Sequence, residues 1–240
     1  GLLARAVSDM SAALRQRIDA VESFAADVAH EIKNPLASLR SAVETLGKVE
    51  DPALRRELIR IAAHDVRRID RLVTEIADAS RIDAELTRTR FEPVDVVALT
   101  EAIAHSRAER DADGAARLVL RHDSRRCRTL GDPARLERVL VNLLDNAASF
   151  SPPGGEIELA TGCGGGRVRI AVSDEGPGIP VEAREKVFER FHSVRPEGED
   201  FGSHSGLGLA IARTIVAAHD GTLTVTDRLD GRPGARLVID

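Results

Sequence analysis

The sequence predicts a long helical hairpin that pairs with a second copy into a four-helix bundle, followed by an α+β sandwich domain. Three observations predict it. Residues 1–90 are nearly free of Gly and Pro and hold long helical periodicity, whereas residues 91–240 are Gly-rich and mix strand-like with helix-like runs. Charge divides at the same place: the first 90 residues carry 15 basic and 15 acidic side chains, and the remaining 150 carry 19 and 24, the whole net charge of −5. The junction falls near Arg90-Phe91-Glu92-Pro93. Three segments result: 1–20 as the end of a signalling helix, 21–90 as the hairpin, and 91–240 as the sandwich domain.

In the opening segment Leu3, Val7, Met10, Leu14, Ile18 and Val21 keep helical spacing into the next segment without a breaker. There Ala25, Ala29, Ile32, Leu36, Leu39, Val43 and Leu46 step by fours and threes, an a/d seam. Gly47 to Pro52 interrupts it with Gly, charge and Pro, predicting a turn. Leu54, Leu58, Ile61, Ile69, Leu72, Ile76, Ala79 and Ile82 resume the period as a second helix. Each helix is expected to run about 35 residues, about 50 Å at 1.5 Å per residue. Two such helices cannot cover their apolar stripes on each other alone, so a homodimer is expected.

In the second domain Leu118–Leu120, Glu156–Ala160, Val168–Val172, Thr222–Val225 and Arg236–Ile239 read as strands. Val94 to Ala108, Pro133 to Ala148 and Gly208 to Ala218 read as helices, the middle one opened by Asp132 as cap and Pro133 in its first turn. The elements do not alternate strictly, which argues against a dinucleotide-binding sheet.

Composition excludes several functions. At 42% hydrophobic and 30% charged the chain is an ordinary folding one. Six Phe with no Trp or Tyr leave few rings to stack bases, and a net charge of −5 disfavours nucleic acid or an anionic membrane as a direct partner. Cys127 and Cys163 lie far apart without CxxC spacing, so neither a disulfide framework nor a zinc site is expected. No run approaches 18 apolar residues, so no membrane span is expected, and the start at Gly1 without an initiator Met reads as a cut end.

Five stretches carry chemistry. Val28-Ala-His-Glu-Ile-Lys-Asn-Pro-Leu36 places His30 at an outward b position, Glu31 beside it at c, and Asn34 one turn on. A neutral imidazole with an adjacent carboxylate suits a nucleophile with its base, and by itself the same pattern also describes a solvated helix face. Pro35 should kink the helix just beyond. Asn142 and Asn146 share a helix face, and carboxamide oxygens are hard ligands that suit Mg²⁺. Asp174-Glu-Gly-Pro-Gly178 follows a strand; Gly176 and Gly178 would let the backbone approach a ligand, and Asp174 could accept from an exocyclic amine. Gly202 to Ile211 is a Gly-containing loop entering an apolar helix, whose N-terminal amides could hold phosphate. Phe188-Glu-Arg-Phe191, then the polar stretch from His192 to His204, reads as an anchored lid, with Phe188 and Phe191 as anchors and Arg190 or Arg195 reaching phosphate.

These motifs, in this order, resemble the sensor histidine kinases of two-component systems. Ala29 to Leu36 resembles the phosphoacceptor H box of the HisKA dimerisation domain. Asn142 to Pro152 is similar to the N box, Asp174 to Gly178 to the first glycine box, Phe188 to Phe191 to the F box, and Gly202 to Gly208 to the second glycine box. The last four belong to the Bergerat (GHKL) ATP-binding fold. Phe201 to Leu209 is similar to the ChvG-type branch, and Leu3 to Ile18 resembles the second helix of a HAMP linker. The resemblance implies ATP and Mg²⁺, with Asp174 accepting from the adenine amine, Asn146 holding Mg²⁺ and Asn142 supporting the triphosphate. Gly176, Gly178, Phe188, Arg190, Phe191, Gly206, Leu207 and Gly208 would complete the nucleotide site. It further implies that His30 attacks the γ-phosphate with Glu31 as base, and that the phosphoryl group passes to an Asp on a response regulator receiver domain. Asn34 would position water for dephosphorylating that regulator. A homodimer at the cytoplasmic side of a bacterial inner-membrane receptor is implied, with membrane contact only through segments upstream.

Two positions depart from the family pattern: Ser149 stands where Lys or Arg is common, and His204-Ser205 where Gly-Thr is common. The rival function is a nucleotide-binding scaffold or ATP-driven clamp without transfer. Clamps carry a general-base Glu where this chain has Asn142, and give a His-bearing hairpin no role.

Overall fold

In a computed structural model, the described residues are 2–85, 91–109, 116–124, 126–192 and 206–240. The chain divides into two compact units, Gly1–Ile76 and Ala77–Asp240.

The first unit is helical. Helix α1 spans Leu2–Leu46 and continues through a buried Pro35; α2 spans Pro52–Glu85. The expected turn lies between them. Thr45 O accepts from Lys48 N and Val49 N, and Asp51 Oδ1 accepts from Ala53 N at 2.9 Å, capping α2 with Pro52 at its first position. The apolar seam splits into two lines. Ile32, Leu39 and Leu46, seven residues apart, are half-buried in the hairpin, where Ala42 and Leu72 are its most enclosed apolar residues. Ala29, Leu36 and Val43, also seven apart, stay exposed. Val7, Met10, Leu14, Ile18 and Val21 continue an exposed apolar row toward the N-terminus.

The second unit is a two-layer α/β sandwich. Strands β1 (Glu92–Asp95) and β3 (Arg128–Gly131) form an antiparallel ribbon. The main sheet contains β2 (Arg117–His122), β4 (Glu156–Gly164), β5 (Arg167–Ser173), β6 (Leu223–Asp227) and β7 (Ala235–Ile239), in the order β2-β4-β5-β7-β6. Among the described residues only the β2–β4 pair is parallel. Helices α3 (Val96–Ala108), α4 (Pro133–Phe150) and α5 (Gly208–Ala218) supply the other layer. Along β4 burial alternates, with Ile157, Leu159 and Thr161 inward; the other face carries the cross-strand pairs Arg117–Glu156 at 3.0 Å and Arg121–Glu158 at 2.8 Å. Leu140, Leu143, Leu144, Leu159, Ile215 and Leu237 are fully enclosed and form the centre of the core.

The structure departs from expectation at three places. Helix α3 starts two residues late because Val94 pairs with Thr129 in the ribbon and Asp95 caps the helix through Ala98 N. The ribbon itself was not expected, since four-residue strands leave too short an alternation to read. Most plainly, Cys127 and Cys163 form a disulfide, with Cα atoms 5.7 Å apart. The parallel β2–β4 register runs to His122–Thr161, which carries the connection after β2 back beside the end of β4. No spacing rule in one dimension reports that approach. The bond joins residues 36 apart, and closing a loop of this size contributes about 4 kcal/mol. Reduction, or Cys163→Ser, is therefore expected to lower the melting temperature by several degrees, checked by thermal melts with and without a dithiol.

Candidate functional site

In the helical unit His30 and Asn34 are both exposed on α1, one turn apart on a shared face. Glu31 does not lie open beside them. Its half-buried carboxylate turns toward α2, where Arg68 Nη2 donates to its Oε2 at 3.1 Å. The c position borders the hairpin interface, so a long cation from α2 can reach it. Sequence reasoning missed Arg68 because the pairing depends on helix register across the hairpin.

In the second unit the asparagine pair lies on α4. Asn142 Nδ2 donates to Gly208 O at 3.1 Å, tying the N-box helix to the first residue of α5. Asn146 is half-buried one turn later, and among the described residues no hydrogen bond engages its carboxamide. That uncommitted oxygen fits a hard cation such as Mg²⁺. Ser149, at the position where a basic residue is common, donates back to Asn146 O at 3.0 Å.

Asp174 lies at the end of β5 and is almost wholly buried. Its Oδ1 accepts from Gly176 N at 2.9 Å and from Ala235 N at 3.0 Å. With one oxygen filled by two amides, Oδ2 is left as the acceptor. Burial pushes this carboxyl above its ordinary pKa, opposed by the two N–H groups and by the charge of Arg228. The glycines beside it are required by contact. A Cβ at Gly176 would come within 2.9 Å of Phe150 O, and Gly178, at φ +81°, lies where a Cβ would meet Gly234 O at 3.1 Å.

The second glycine box is described from Gly206 onward. Gly206 has φ +74°, its carbonyl accepts from Phe191 N at 3.1 Å, and a Cβ there would meet the Phe191 backbone at 2.8 Å. Leu207 is buried, and among the described residues no side chain caps α5, whose N-terminal end suits an anion. Phe188 is a buried anchor with the Arg213 guanidinium 5.0 Å over its ring. Phe191 is half-buried with φ +60°, and Arg190 is exposed. Arg195, Gly202, His204 and Ser205, with most of the expected lid, lie outside the described residues.

Three further residues, unread in the sequence, pack around Asp174. Ala235 accepts from Asp174 N at 2.9 Å as well as donating to its side chain. Arg228 Nη1 donates to Asp174 O at 2.7 Å. Gly234, at φ +137°, passes so close that a Cβ would overlap that same carbonyl. Arg228 and Gly234 belong to the β6–β7 turn and Ala235 opens β7, all more than 50 residues along the chain.

Known proteins share both units. Residues 131–239 match the family described as "Histidine kinase-, DNA gyrase B-, and HSP90-like ATPase", and residues 20–85 match the "His Kinase A (phospho-acceptor) domain". The sensor protein ChvG of Rhizobium meliloti (strain 1021) is 44% identical over 251 residues, covering 100% of this chain and 43% of that protein. ChvG of Agrobacterium fabrum is 41% identical over 258 residues, covering 100% of this chain and 42% of that one. The chain thus spans less than half the length of these relatives. Among solved structures, a mycobacterial sensor histidine kinase, MprB, is 33% identical with a TM-score of 0.51, covering 62% of this chain and 95% of that chain.

Proposed function

Since this chain belongs to the sensor histidine kinase family, we propose that it transfers the γ-phosphoryl group of ATP to its own His30 and then to an Asp of a response regulator. The observation that carries this reading is an exposed imidazole at His30 next to a carboxylate, Glu31, that a cation on the second helix holds in place. An exposed ring can meet a phosphate, and a fixed neighbour can take or orient its proton.

For the nucleotide, the Asp174 Oδ2 is the acceptor for the adenine amine, Asn142 links the N-box helix to the loop that carries Gly206 and Gly208, and the α5 amides face the phosphates. Mg²⁺ would be held by the Asn146 oxygen and would supply charge neutralisation on the triphosphate. No carboxylate stands at Asn142 to activate water, which favours transfer to His30 over a hydrolytic clamp. The exposed line of Ala29, Leu36 and Val43, with Leu54 and Ile61 exposed seven residues apart on α2, is the face on which a second copy would close a four-helix bundle. The whole receptor, anchored in a membrane through upstream segments, belongs to the same proposal.

The test is incubation with γ-labelled ATP. Acid-labile, base-stable label on the protein supports phosphohistidine, and absence of label, or acid-stable label, overturns the reading. A finer check separates two activities on one helix. Asn34 is exposed and can both donate to and accept from a water beside a phosphoaspartate. Asn34→Ala is expected to keep most autophosphorylation and lose most regulator dephosphorylation. Glu31→Ala should mainly lose autophosphorylation, by about 10²-fold or more. Equal damage from both variants in a phosphotransfer time course would mean local helix disruption instead.

A further inference from the structure

We infer that Arg228 sets the protein's discrimination between 6-amino and 6-oxo purine nucleotides, as a positioning residue acting through Asp174. The inference rests on the assignment of Asp174 as acceptor for the adenine amine, and it adds a residue from the opposite end of the domain sequence.

Arg228 follows β6 and has only 11% of its side chain exposed. Three of its donors are committed. Nη1 holds the Asp174 carbonyl at 2.7 Å, while Nε and Nη2 grip Asp230 as a fork at 3.0 and 2.7 Å. Asp230 is thereby held well below the usual carboxylate range, and the guanidinium is fixed rather than free to swing. Glu175 Oε1 lies 4.0 Å away, and its other oxygen accepts from Glu156 N at 3.0 Å, so the peptide after Asp174 is braced from the strand side too.

Two consequences reach the base. First, the Asp174 backbone is pinned at N by Ala235 and at O by Arg228, which fixes where Oδ2 can point. Second, a positive charge beside a buried carboxyl favours its ionised form, against the opposing effect of burial. An ionised carboxylate is acceptor-only. It welcomes the amine at C6 of adenine and repels the oxygen at C6 of hypoxanthine or guanine. A protonated carboxyl could donate to that oxygen and lose the distinction. Arg228 favours the acceptor form.

The experiment compares ATP with inosine triphosphate in autophosphorylation of the whole chain, reading KM and kcat separately. Arg228→Gln should narrow the ATP:ITP ratio of kcat/KM by about tenfold, through KM for ATP, with kcat at saturation little changed. Arg228→Lys keeps the charge but cannot form the fork on Asp230, so its ratio should fall between those of the parent and of Arg228→Gln. An unchanged ratio in Arg228→Gln, or equal loss for both nucleotides, overturns the inference, because a purely structural role weakens both alike. If Arg228→Gln fails to fold by circular dichroism, Asp230→Asn gives the same readout from an exposed position. It releases the fork and should narrow the ratio about threefold; a retained ratio there also overturns the inference. Asp174→Asn tests the underlying assignment separately. If that variant keeps the parent's preference for ATP, the base site lies elsewhere, whatever Arg228 does.

Discussion

Replacing His30 with Gln is expected to abolish autophosphorylation while leaving nucleotide binding and folding intact. The side chain is exposed on α1. Surface changes away from special features usually cost within about 0.5 kcal/mol, so the helical unit should melt as before. Gln retains helix propensity and a similar length but carries no nucleophilic nitrogen lone pair. The loss of label should therefore be complete, beyond about 10³-fold. Labelled ATP, an acid–base stability test of the product, and nucleotide affinity by calorimetry form one experiment. Label persisting on the variant would place the acceptor elsewhere. Lost nucleotide affinity would mean that the substitution had disturbed more than one nitrogen.

The second large effect is expected at Asn146. Changing it to Asp keeps the shape but removes the amide donor and adds a negative charge beside a triphosphate. At an effective dielectric of about 20, like charges 4 Å apart repel by about 4 kcal/mol, and a tighter grip on Mg²⁺ would have to offset that. We expect autophosphorylation to fall by at least about 10²-fold. The position is half-buried in α4, and its backbone carbonyl still accepts from Ser149, so the helix should persist. Mixed dimers sharpen the test. A protomer carrying His30→Gln, paired with one carrying Asn146→Asp, has one working nucleotide site and one working acceptor. Label on the Asn146→Asp chain means transfer between protomers. No label in the mixture, with the parent dimer active, means transfer within a protomer. Label on both chains would contradict the role given to His30.

The chemistry-bearing residues were readable because their signals are local. The step from His30 to Asn34 is one helical turn, so a shared exposed face follows from the helix period alone. Asp132-Pro133 announces α4, and the structure caps it as read, with Asp132 Oδ1 accepting from Ala134 N and Arg135 N. The a/d steps of α1 are equally local. Yet they did not say that Ile32 and Leu39 would turn to α2 while Leu36 and Val43 remained open. That division depends on the rotation of one helix about another, which the spacing within each does not contain.

Other features escaped because their partners lie far away in the chain. His219 is an example. Its Nε2 accepts from Asp132 N at 3.1 Å, its Nδ1 meets Ile215 O at 2.8 Å, and its ring stacks on Phe91 at 4.7 Å. It fastens the end of α5 to the start of α4, and nothing around residue 219 marks it. Short strands such as β1 and β3 belong to the same class, because their ladder lies in the partner's backbone rather than in their own alternation.

By itself, then, the sequence determined the helical hairpin, the sandwich that follows, and the residues offered for acceptor and nucleotide, since helix period, caps and glycine loops act over one or two turns. The tertiary structure alone decided which oxygen of Asp174 accepts from backbone amides, that Arg68 holds Glu31, that Arg228 and Gly234 clasp Asp174, and that Cys127 meets Cys163. Apart from the Gly176 amide on Asp174, each of those contacts joins segments more than 30 residues apart. Their geometry is set by strand register and helix rotation, which only the packing of the core against its own sheet can fix.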